Sequence, residues 1–100
     1  MRSLRESLED DFGTVARSLL GRASVSAEAE MGAPFDPRVL DSIDLARHGE
    51  GLIGLENLCS NIDDYEVALT ATEREALLRF ADAWQLGDRY RRIVGLSDHR

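Results

Sequence analysis

No lysine occurs in the 100 residues: all twelve basic side chains are arginine. That bias reflects the coding genome more than the fold. Cys59 is the only cysteine, which excludes an intrachain disulfide. No HExxH or CxxC spacing occurs, and His48 and His99 stand far apart, so a metal site has no support. No GxGxxG or P-loop is present. GEGLIG (49–54) has glycines, but no strand leads into it and no lysine follows, so it reads as a helix break rather than a phosphate cradle. No stretch approaches the roughly 18 apolar residues of a membrane span. The opening MRSLRESLEDDFG carries no apolar run of signal-peptide length, so a cytoplasmic protein is expected. Strict apolar/polar alternation is also missing. VSAEAEM alternates weakly, but Ala and Glu are poor strand formers.

What remains is a helical pattern on an acidic chain. A hydrophobic fraction of 43% is ordinary for a folded protein, and the length suits one domain over residues 1–100. The net charge of −7 repels nucleic-acid phosphates and anionic lipid and attracts basic proteins.

Ser3 and Glu6 fit a capping box at the start of a first helix. Leu4, Leu8, Phe12, Val15 and Leu19 then recur at spacings of four and three, one apolar stripe at period 3.6, and Gly21 is a plausible stop. Residues 22–35 are small and weakly patterned; they read as a connection with a helical turn near 27–31. Asp36-Pro37 predicts a second helix, with an N-cap acid and proline at the first helical position. Val39, Leu40, Ile43 and Ala46 or Arg47 carry it to about His48. A third helix is predicted over about 50–63, with Leu52, Leu55, Leu58, Cys59 and Ile62 inward and Ile53 at the edge. Thr70 and Glu73 form another capping box. The fourth helix, about 71–86, turns Leu77, Leu78, Ala81 and Trp84 inward with Phe80 close by, and leaves Glu73, Arg74, Arg79 and Asp82 for solvent. A last short helix, about 88–94, folds back through Tyr90, Ile93 and Val94. The expected architecture is all-α, a small bundle of four to five helices.

Catalytic chemistry finds little footing. Cys59 lies on an apolar stripe and reads as a small core hydrophobe. The pairs Asp10/Asp11, Asp63/Asp64 and Glu73/Glu75 fall at helix ends or on polar faces, where solvated acids are expected rather than an acid–base couple. Charge distribution is more telling. Residues 49–73 hold six acids, Glu50, Glu56, Asp63, Asp64, Glu66 and Glu73, and no basic residue. From Ala76 the sign reverses, with Arg79, Arg89, Arg91, Arg92 and Arg100 against Asp82, Asp88 and Asp98. Two readings fit the acidic block: a solvated face, or a docking surface in which Tyr65 is the anchor and the surrounding acids steer a basic partner. On the second, the partner-binding residues are Glu50, Glu56, Asp63, Asp64, Tyr65 and Glu66.

His48-Gly49-Glu50, then Leu55-Glu56-Asn57-Leu58-Cys59, then Ile62, then Leu69-Thr70 and Glu73, resembles the MafI-like family of bacterial immunity proteins. These are small helical partners of polymorphic and contact-dependent toxins. The resemblance spans about residues 40–87; DDYEVA departs from it, standing where a different mix of aromatics and acids is expected. It implies a protein without catalysis or cofactor of its own that binds and neutralises a cognate toxin domain in the cytoplasm, such as a nuclease or a nucleotide- or NAD-degrading enzyme. Because such toxins handle phosphate, their clefts tend to be basic. A regulatory or scaffold module binding a non-toxin protein is the competing reading. A third, an enzyme or small-molecule binder, would need convergent polar groups in a pocket.

Overall fold

The structure, a computed structural model, describes residues 3–96; Asp98, His99 and Arg100, considered above, lie outside the described residues. Within them are six helices and no strand: α1 Leu4–Arg17, α2 Val25–Met31, α3 Asp36–Arg47, α4 Gly51–Asp64, α5 Ala71–Ala83 and α6 Asp88–Leu96. The all-α bundle is as expected, with one helix more because the turn in the 22–35 connection is a helix of its own.

Local chemistry sets most boundaries. Ser3 has extended backbone and accepts the Glu6 N–H at 3.1 Å, starting α1. Of the predicted stripe Phe12 and Leu19 are fully buried, with Ala16 beside them, and Leu8 and Val15 are half-buried, but Leu4 is 81% exposed because the first turn of α1 overruns the core. For α2, Ser24 accepts the Ala27 N–H at 3.0 Å, and Gly32 closes the helix in the left-handed region at φ +70°. Only Ala27 of α2 is buried, so end caps rather than an apolar stripe define this helix.

The start of α3 differs from expectation. Phe35 occupies the N-cap without a side-chain bond, and Asp36 and Pro37 are already helical. The Asp36 carboxylate instead accepts the Gly21 N–H at 2.9 Å, tying the end of the α1 segment to α3. Glu28 of α2 likewise accepts the Phe35 N–H at 2.8 Å. Leu40, expected inward, is 45% exposed; Val39, Ser42, Ile43 and Ala46 form the buried face.

Three helices end in a left-handed residue followed by a backbone N–H that folds back onto the last turn. After α3, Gly49 (φ +83°) bonds the Ala46 carbonyl and Glu50 bonds Leu45. After α4, Glu66 (φ +52°) bonds Asp63 and Val67 bonds Ile62. After α5, Gln85 (φ +57°) takes the left-handed position and Leu86 bonds Ala81. This last turn stops α5 at Ala83, short of the predicted end at 86.

α3 and α4 form the central hairpin, α1 packs on α3, α5 lies against α1 and α4, and α6 lies against α4 and α5. The α3–α4 approach depends on Gly54: a Cβ there would stand 2.6 Å from the Ser42 carbonyl oxygen and 3.2 Å from the Ala46 nitrogen. On α4 the buried face is Leu55, Leu58, Cys59 and Ile62, while Leu52, predicted inward, is 37% exposed and Ile53 is 49% exposed. Two aromatic groups bracket the core. Phe12, Phe80 and Trp84 sit with ring centres 5.5–5.7 Å apart; Trp84, expected to be buried, is only partly covered. Phe35 and Tyr65 pack 5.2 Å apart in the second group.

Candidate functional site

The acidic run after α4 is first of all a helix end. Tyr65 is the C-cap residue, Glu66 takes the left-handed turn, and Val67 returns to the core at 3% exposure. Tyr65 is 1% exposed. Its hydroxyl donates to the Ala33 carbonyl at 3.0 Å, its ring packs on Phe35, and the Arg38 guanidinium lies 5.9 Å from the ring centre. An aromatic ring with a polar tip is well suited to this place, because the apolar body is buried and the hydroxyl finds an acceptor. Tyr65 is therefore no exposed anchor, and the partner-binding role expected for it is corrected: it pins the end of α4 to the segment between α2 and α3.

The six acids do not form one patch. Glu50 precedes α4, and Asp63, Asp64 and Glu66 lie at its far end; for a 14-residue helix that is a separation of roughly 20 Å. Glu73, expected in solvent, has a side chain only 11% exposed. It completes the capping box with Thr70 at 2.9 and 3.1 Å and accepts Arg22 at 2.6 and 3.1 Å and the Ser18 hydroxyl at 3.2 Å. Burial alone would raise its pKa. The Arg22 hydrogen bonds, the Thr70 N–H, the Arg22 charge and the Ser18 hydroxyl outweigh burial and hold the carboxyl below its ordinary value. Glu73 thus clamps the end of α1 to the start of α5.

The exposed acids that remain are Glu50, Asp63, Asp64 and Glu66, with Glu56 half-buried on α4. Asp63 and Asp64 occupy the last turn of α4, which holds no basic residue. Carboxylates beside the negative end of a helix dipole are unfavourable by about 0.3–1 kcal/mol each at a surface site.

Glu50 belongs to a different neighbourhood. It lines an open cleft on the α3–α4 seam together with Asp41, Asp44, Leu45, His48 and Asn57. Asp41 and Asn57 continue into a second depression with Arg38, Ser60 and Asn61. His48 is set in place by its own helix, its Nδ1 lying 2.7 Å from the Asp44 carbonyl oxygen. Asn61 donates to the Asn57 carbonyl at 2.9 Å, which directs that amide along α4. The seam is built by helix period and loop length together. Asp41, Asp44 and His48 are three and four residues apart and share one face of α3, and the short turn through Gly49 brings Glu50 and the first turns of α4 alongside. Asp41 and Asp44 lie outside the acidic block read from the sequence. Their signal was available in the spacing, opposite the buried Val39, Ile43 and Ala46.

Cys59 is a core residue. It is fully buried, and burial, with the nearby Glu56 carboxylate adding to it, pushes the thiol up from 9.0 to about 12, the wrong direction for a nucleophile. Among the described residues no group of three or more His, Cys, Asp or Glu side chains could hold a metal ion, and no helix is long and apolar enough to cross a membrane. Set against family models, curated proteins and solved structures, the chain finds no match in any of the three.

Proposed function

We propose that this chain is an immunity protein, a binding protein without catalysis that neutralises a basic toxin domain in the cytoplasm. The observation that carries the reading is the cleft on the α3–α4 seam. Three acids, Asp41, Asp44 and Glu50, line it, with no arginine among the described residues of its walls. His48, Glu50 and Asn57, three of the residues on which the resemblance to MafI-like immunity proteins rests, meet in it. A rigid acidic cleft suits a cationic partner, because attraction speeds encounter and a preformed surface lowers the entropy cost of docking. Glu56, Asp63, Asp64 and Glu66 extend the negative field along and beyond α4. Carboxylates at the unfavourable end of a helix fit the same reading, since they weaken the helix they stand on.

The test is co-expression with the product of the neighbouring reading frame, where a secreted protein with a toxic C-terminal domain is expected. The wild-type chain should restore growth, and an Asp41→Arg/Asp44→Arg/Glu50→Arg variant that retains its helical circular dichroism should not. If the wild type does not restore growth yet binds a basic protein unrelated to toxins, the chain is a scaffold or regulatory module instead.

A further inference from the structure

Beside the acidic cleft lies an apolar groove. Leu52 and Ile53 of α4, 37% and 49% exposed, line it with the half-buried Trp84, and Gly51 forms its floor. A Cβ on Gly51 would collide with the Trp84 ring, so the helix backbone lies directly against the indole. Glu9 of α1 and Glu50 stand on the rim. Glu50 also lines the acidic cleft, so it is the wall the two depressions share. Among the described residues, they hold together Glu9, Asp41, Asp44 and Glu50 and no arginine.

We propose that the groove and the cleft act as one recognition site for a protein segment that carries a bulky apolar residue next to Arg or Lys. The apolar residue seats between Ile53 and Trp84. The cation reaches over Glu50 into the cleft, between Asp44 and Asp41. Charge complementarity selects this occupant: an acidic peptide or an anionic lipid surface would be repelled by Asp41, Asp44 and Glu50, and a neutral apolar segment would leave the cleft unfilled. Apolar contact sets how long the segment stays, and the acids set how fast it arrives. This deepens the binding-protein reading above and rests on it, but its test uses no toxin, so either can fail without the other.

Trp84 is the sole tryptophan and lines the groove, so its emission reports on this groove. The probe is a phage-displayed library of random peptides, selected on the wild-type protein and counter-selected on Ile53→Glu. The half-exposed position of Ile53 lets that variant keep the fold, which circular dichroism checks. Enriched peptides should pair an aromatic or large aliphatic residue with Arg or Lys. Synthesised singly, they should shift Trp84 emission to the blue with saturation. Ile53→Glu should weaken them by about tenfold or more, and Glu50→Gln by a few-fold with most of the loss in association rate. Acidic or charge-free consensus sequences, binding that survives Ile53→Glu, or a library that yields no enrichment would overturn the proposal. So would an emission shift on concentrating the protein alone, which would assign the groove to a second copy of the chain.

Discussion

The Tyr65 hydroxyl, 3.0 Å from the Ala33 carbonyl, and its ring, 5.2 Å from Phe35, can be separated by substitution. Tyr65→Phe removes only the hydrogen bond and should lower stability by about 0.5–1.5 kcal/mol. Tyr65→Ala removes the ring and leaves a cavity, and should cost about 3–5 kcal/mol. Urea denaturation measures both. Partner affinity of the folded Tyr65→Phe protein should match wild type, whereas an exposed anchor would lose affinity without losing stability. Glu66 makes the converse case. At φ +52° an L-residue is strained by roughly 1–2 kcal/mol, and glycine is not. Glu66→Gly should therefore raise the denaturation midpoint, aided by removal of a carboxylate from the negative end of α4. A lower midpoint would show that the Glu66 side chain stabilises the turn.

The helices differ in how plainly the chain announces them. α1, α4 and α5 combine a cap or a break with an apolar stripe several turns long, and both signals are local, so their positions are legible. α2 is legible only in part, because Ser24 and Gly32 cap it while its seven residues bury a single alanine. The end of α5 was obscured for a related reason: Gln85 fills a left-handed position where glycine would have marked the stop. Ion pairing between distant segments was not legible at all. Arg22 lies 51 residues from Glu73, and only the fold brings the arginine onto the capping box. That clamp predicts a pH dependence. The folded-state pKa of Glu73 lies below its unfolded value, so the contribution is fully present above the unfolded pKa, about 4.3. It is lost as pH falls through the lower folded value, because protonation then removes the acceptor for Arg22. Chemical denaturation from neutral pH into the acid range should show a steeper loss for wild type than for Glu73→Gln. Parallel curves would mean that the clamp adds no net stability.

Across the fold, charge is arranged by surface rather than by chain segment. The acidic block between Gly49 and Glu73 looked uniform because no basic residue interrupts it. Folding divides it: Glu73 is sealed against Arg22, Asp63, Asp64 and Glu66 gather at one end of α4, and Glu50 joins Asp41 and Asp44 across the helix hairpin. The seam carries the central claim, and association kinetics test it most directly. The product of the neighbouring reading frame, proposed above as the toxin, would be immobilised, and binding of wild type and of Asp41→Asn/Asp44→Asn/Glu50→Gln measured at low and high salt. At low salt the variant should associate about tenfold or more slowly than wild type, with a smaller change in dissociation; added salt should slow wild type toward the variant and leave the variant nearly unchanged. A variant that associates as fast as wild type, with the same salt dependence, would contradict the account and remove the α3–α4 seam as the binding face.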